Sequence, residues 1–182
     1  AAAAKRVIDM GVYELYTVKR DSTTMPLPKN VPSGDFPNGA GNIDPFKSYS
    51  DMFTGEALSQ KNTEFVWGRI SSNVRNYTRH AFPIDNLGGW NGMAIPQKIV
   101  DAYYMVDGRD INNSSEEYPY SEIGFSSEKQ SFSGYQLNNG VYNMYMNREM
   151  RFYASIGFSE CFWPCLSTSE SGRRNQTITY FK

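Results

Sequence analysis

Apolar residues recur at three- and four-residue steps across the segment 95–108, so that Ile99, Val100, Tyr103 and Met105 or Val106 would share one face of a helix. Pro96 suits the first helical position, where a missing N–H is no loss. Asp107-Gly108 supplies the stop, because glycine takes the left-handed backbone that helix C-termini often need. The pattern predicts a short amphipathic helix opened by proline and closed by glycine.

A second segment, 147–156, opens on Asn147, a natural N-cap, and puts Glu149 near the positive end of the helix dipole. Arg148 and Arg151 are three apart and would share a face of that turn. Their expected role is structural: bonding carbonyls or carboxylates to tie a loop-rich region together. From Arg151 the period changes, since Phe152, Ala154 and Ile156 alternate with Tyr153 and Ser155, which predicts a half-buried strand.

Elsewhere the pattern is weaker. Ala1 to Tyr16 reads as a helix with a Gly11 stop, its alanines suited to close packing, although four leading alanines are also compatible with a cloning remnant. Residues 21 to 46 carry five prolines and three glycines, so regular structure is not expected; Phe36 and Phe46 favour an ordered loop laid on the body. Tyr49 to Phe53 reads as a brief helix and Thr63 to Ile70 as an extended segment rich in branched and aromatic residues. Residues 71–94 read as a polar, glycine-containing connection and 109–145 as irregular. Thr177 to Lys182 resembles an interrupted strand, and no internal repeat is present.

The two patterned segments together resemble the signature regions of the SusD/RagB family: a proline-started helix reading Val100-Asp-Ala-Tyr-Tyr-Met-Val-Asp-Gly108, then Asn147-Arg-Glu-Met-Arg-Phe-Tyr-Ala-Ser-Ile156. Glu149-Met150 stands where the family has Asp-Pro; without the proline ring fixing φ the turn is less restrained. Ala1 to Tyr16 resembles the last helix of the family's tetratricopeptide-like repeats, and Glu64 with the apolar residues after it resembles a family strand. The resemblance runs over roughly residues 1 to 165.

It implies a mainly α fold, a tetratricopeptide-like α-α superhelix in the full protein, of which this chain is a loop-rich fragment with a few helices and short strands. On that reading residues 1–182 belong to one SusD-like domain, with 1–16 as the last repeat helix and 17–182 as a C-terminal subdomain, the N-terminal repeats and lipid anchor lying outside this sequence. It also implies a surface lipoprotein of the outer membrane that captures a glycan, or sometimes a peptide, and passes it to a SusC-like TonB-dependent transporter.

Composition narrows the alternatives. A net charge of −1 and a pI near 5.9, with scattered basic residues, exclude a broad nucleic-acid face. No apolar run approaches bilayer length. Cys161 and Cys165 lack the spacing of a zinc or C-x-x-C redox site, leaving a local disulfide or, as expected, two buried thiols. No metal cluster, cofactor motif or catalytic group stands out; His80 reads as solvated or structural. A carbohydrate-active enzyme or its accessory domain is the alternative, but nineteen acidic residues single out no catalytic pair. A purely structural surface protein is the third class.

Aromatics make up 15% of the chain, with thirteen tyrosines, and suit loop-rich cores and recognition surfaces alike. A sugar site needs flat rings for stacking and planar polar groups for hydroxyls. Trp67, Tyr77 and Trp90 offer the first, and Asn73, Arg75 and Arg79 the second, which places the expected ligand surface around 67–90. Trp67 also reads as a core tryptophan on a strand, Trp90 as an exposed loop residue between glycines, and Trp163 as core.

Overall fold

A computed structural model describes residues 2–54, 57, 62–68, 74–84, 88–165 and 168–180. The first helix, α1 (Ala2–Asp9), ends where Gly11 turns left-handed at φ 61°, the stop expected from the sequence. None of its residues is buried, so its alanines are left uncovered among the described residues. The 12–20 stretch then runs extended, receiving bonds from Thr63 and giving them to Glu64, Ser48 and Asn42.

The proline-rich stretch is ordered and lies on the body, and its end starts α2 (Pro45–Thr54). Asp44 caps that helix: its Oδ1 accepts the Lys47 N–H at 2.9 Å, while Pro45 takes the first helical position. Its other oxygen accepts from Thr24 at 2.9 Å and from Ser133 at 2.7 Å, in full burial. One carboxylate thereby joins the loop, the helix and a hairpin. Phe46 points inward, with ring centroids 5.7 Å from Phe132 and 5.4 Å from Tyr135.

Residues 63–68 form a turn and an irregular stretch, not a strand, because their backbone is fixed by isolated bonds to 14 and 16; residues 69 and 70 lie outside the described set. Within 71–94, where only a connection was expected, the chain forms α3 (Val74–Ala81). Next, α4 (Gln97–Asp101) is shorter than its apolar period suggested, with Pro96 just ahead of its first residue and Val100 as its buried contact. Gly108 is left-handed at φ 80°, as expected, but it closes a separate turn in which its N–H bonds the Met105 carbonyl at 2.9 Å.

The irregular region contains a hairpin: β1 (Gln130–Phe132) pairs antiparallel with β2 (Tyr135–Leu137), and Ser133 and Gly134 between them both have positive φ, the backbone of a two-residue hairpin turn. The expected 152–156 strand is instead a helix, α5 (Met150–Ser155), lying against α2. Phe152, Tyr153 and Ile156 are the buried positions, a helical rather than alternating set. Finally β3 (Cys161–Trp163) pairs with β4 (Gln176–Ile178), so the strand expected over Thr177 to Lys182 is found at Thr177 and Ile178, while 179 and 180 leave it and 181–182 lie outside the described residues.

The core is aromatic. Phe132, Tyr135, Phe152, Tyr153, Phe158 and Phe162 are buried together with Leu137, Val141 and Ile178, and Tyr145 stacks on Phe158 at 4.5 Å. Trp163 packs at the edge of this cluster, half-buried. Both cysteines are free thiols; Cys161 is buried and burial pushes its thiol up to about 11, whereas Cys165 is half-buried. The chain is thus loop-rich, with five short helices and four short strands among the described residues.

Candidate functional site

The two signature segments meet side by side. The Val106 N–H bonds the Asn147 carbonyl at 2.8 Å, the Glu149 N–H bonds the Tyr104 carbonyl at 3.0 Å, and the Glu149 carboxylate returns to the Tyr104 N–H at 3.0 Å. Asn147 is left-handed at φ 57°, so it does not cap α5; Glu149 stands at that position. This break also parts the two arginines, which do not share a helical face. Arg148 is fully buried and donates to the carbonyls of Met144, Val100 and Tyr103 at 3.1, 2.6 and 2.9 Å. Arg151 lies at the surface and pairs with Glu149 at 2.6 Å. Carbonyls and a carboxylate are the partners expected of structural arginines.

The residues expected to hold a ligand sit elsewhere, around the end of α3. A helix C-terminus leaves carbonyls without intrahelical donors. Here the 89–93 stretch folds back and supplies them: Trp90 N–H to Arg79 at 2.6 Å, and Gly92 and Met93 N–H to His80 at 2.9 and 3.0 Å. Such close return requires glycine. A Cβ on Gly89 would lie 2.1 Å from the Phe82 carbonyl oxygen, and one on Gly92 would lie 2.5 Å from His80 Nδ1. The fold-back fixes the Trp90 ring, which meets the His80 ring edge-on at 4.8 Å and has the Arg79 guanidinium carbon 5.3 Å from its centroid. The indole remains 47% exposed.

Arg79 and Trp90 are therefore brought together. Arg75 lies one turn before Arg79 on the same side of α3, exposed, while Tyr77, 65% exposed, projects from a different side. Trp67 is 79% exposed on the 62–68 stretch, so it is not a core tryptophan, and no described contact joins it to Trp90. Asn73 lies outside the described residues. Phe82, just past α3, meets Trp163 at 5.1 Å and anchors the unit to the β3–β4 pair.

Sequence reasoning missed His80 as the rest for Trp90; the signal was a histidine ten residues before a glycine-flanked tryptophan, too common to single out. It also missed a groove of about 660 Å³ between the 15–17 stretch, the proline-rich loop, α2 and the start of α5, walled by Tyr16, Phe36, Phe46, Tyr49 and Met52. Its carboxylates are hydrogen-bonded, Asp44 to Thr24, Ser133 and the Lys47 N–H, Glu64 to the Tyr16 N–H, and Glu149 to the Tyr104 N–H and Arg151. Among the described residues no cluster of His, Cys, Asp or Glu is placed to hold a metal, and no helix is long and apolar enough to cross a membrane.

The model of the SusD family matches residues 63–181, more than half of the chain and inclusive of both signature segments. No curated protein and no solved structure matches the chain.

Proposed function

This chain belongs to the SusD family, whose proteins are associated with glycan binding for uptake and are typically lipoproteins of the outer-membrane surface, and on that premise we propose that it captures an oligosaccharide without cleaving it and delivers it to a SusC-like TonB-dependent transporter. The family's members are generally binding proteins rather than catalysts. Within residues 1–16, α1 (Ala2–Asp9) serves as the last repeat helix of the larger fold, the extended backbone from residue 12 onward leaving it, and a lipid anchor outside this sequence holds the protein to the membrane.

The observation that carries the reading is the mounting of Trp90. An indole kept 47% exposed while His80, Arg79 and a backbone fold-back restrain it is a rigid platform, and rigidity lowers the entropy lost when a sugar ring stacks. Arg75 and Arg79 add planar donors for hydroxyl groups, and the exposed Tyr77 ring of the same helix adds a second stacking face; the expected roles of Asn73, outside the described residues, and of Trp67 are part of the proposal that the titration tests.

The test is calorimetric titration of oligosaccharides into the full-length protein and its Trp90→Ala and Tyr77→Ala variants. Trp90→Ala is expected to weaken binding about tenfold or more, equivalent to roughly 1.4 kcal/mol, with an unchanged far-UV spectrum. Unchanged affinity in both variants would remove the site, and sustained release of shorter sugars by pure protein would remove the non-catalytic reading.

A further inference from the structure

The stretch between Glu64 and Asp101 has a charge balance of its own. It carries Arg69, Arg75, Arg79 and Lys98 against a single acidic residue, Asp85, in a chain whose net charge is −1. Two of these arginines stand on α3, Arg75 exposed and Arg79 half-buried. Neither forms an ion pair with a described carboxylate, whereas Arg109, Arg151 and Arg173 each do.

Helix electrostatics accounts for only part of this arrangement. Arg79 occupies the last turn of α3, where the carbonyl end of the helix favours a cation. Arg75 stands near the opposite end, where a cation is disfavoured, and one turn from Arg79, so that the two like charges repel. Both side chains therefore point their uncompensated charge to the same side of the helix, and folding alone gives no reason for it. The Arg79 guanidinium carbon lies 5.3 Å from the centroid of the partly exposed Trp90 ring. A sugar ring resting on that indole projects its substituents past the rim of the indole, into the space that Arg79 borders. An acidic substituent there meets a planar fork able to give it two parallel N–H bonds, and Arg75, its Cβ about 5–6 Å from that of Arg79, continues the row of donors along α3.

We propose that the Trp90 platform selects acidic oligosaccharides, those bearing a ring carboxylate or a sulfate ester, over neutral ones. The proposal rests on the glycan-capture reading and adds its charge class: Trp90 supplies the stacking common to any sugar ring, and Arg75 with Arg79 supplies the discrimination. An acidic ligand also relieves the repulsion between the two arginines, which a neutral hydroxyl leaves in place.

The test titrates the full-length protein with oligosaccharides of galacturonan, alginate, hyaluronan and carrageenan, each paired with its carboxyl-reduced or desulfated counterpart. The uronate and sulfate arms separate the two sources of the oxyanion. At least one acidic member is expected to bind about tenfold or more tightly than its neutral counterpart, with a margin that narrows as salt is raised. Arg75→Gln, which should fold because the side chain it alters makes no described hydrogen bond, is expected to lose most of that margin while keeping its affinity for the neutral counterpart; Trp90→Ala should weaken both. Equal affinities within every pair, or a margin intact in both Arg75→Gln and Arg79→Gln, would overturn the charge selection yet leave glycan capture standing wherever Trp90→Ala still weakens binding. Failure of every member of the panel to bind would remove the selection and the capture reading together.

Discussion

At the scale of single residues, stability concentrates on Arg148. Three buried carbonyls from two distant segments end on one guanidinium, and Tyr153 adds its hydroxyl, accepting the Arg148 backbone N–H at 3.1 Å and donating to Tyr145 at 2.9 Å. Removing the guanidinium strands those carbonyls, each at about 1–3 kcal/mol. Arg148→Met is therefore expected to cost about 3–5 kcal/mol, read as a lowered midpoint in urea with little change in slope. Arg148→Lys should recover only part, since an ammonium on one stem cannot span Met144 and Val100 as a planar fork does. A loss below about 1 kcal/mol for Arg148→Met would show the knot to be dispensable. The sequence made both arginines structural, but it could not say which is buried. Chemically identical side chains three residues apart are separated here by the start of α5: Arg148 lies ahead of the N-cap Glu149 in a stretch paired with 104–106, a contact across some forty positions, whereas Arg151 stands inside the helix. Trp67 illustrates the reverse: its type favours burial, yet nothing in the described chain covers it.

At the scale of elements, α2 shows how much one cap can do. Asp44 fixes the helix start through Lys47 and holds Thr24 and Ser133 through its other oxygen, so its loss removes a cap worth about 0.5–2 kcal/mol and leaves two hydroxyls without their acceptor. Asp44→Ala is expected to cost about 2–4 kcal/mol in denaturant titration, and Asp44→Asn less, because one amide oxygen can still cap. Equal costs would mean that the cap contributes little and the charge decides. Of α2 only the Tyr49–Phe53 part was legible, its Asp44-Pro45 start falling in a stretch read as irregular, and α5 was not legible as a helix: Ala154 between Phe152 and Ile156 imitates a two-residue period, and only the burial of Tyr153 reveals the helical one. Similarly α3, reading Val-Arg-Asn-Tyr-Thr-Arg-His-Ala, has no apolar stripe; it is held by the fold-back of 89–93, a tertiary cause that periodicity does not record. The hairpin left its trace in Ser133-Gly134 between alternating residues, a weaker turn signal than Asn-Gly.

Across the whole molecule, order is distributed unevenly, and the distribution follows burial. The aromatic cluster around Phe152 and Phe132 is continuous, while α1 buries nothing and leaves Ile8, Met10, Val12 and Leu15 each more than 60% exposed. Its one charged pair, Lys5 with Asp9, is a surface contact of a few tenths of a kcal/mol, and an eight-residue helix is well short of the roughly 12–15 residues that persist unaided in water. Amide exchange on residues 1–182 is therefore expected to divide sharply. The Met10 amide and those of the last α1 turn should exchange near the unprotected rate, whereas Ile156, bonded to Phe152 at 2.9 Å, and Val106 and Glu149, which knit the signature segments, should open only with global unfolding. Protection of α1 equal to that of Ile156 would contradict this ranking, because it would require a surface covering Ile8 to Leu15. The same measurement on the full-length protein probes the repeat-helix role assigned to α1: a helix packed into a superhelical stack would gain protection there, as its exposed apolar side found a partner, while exchange at Ile156 stayed at the level set by the aromatic core.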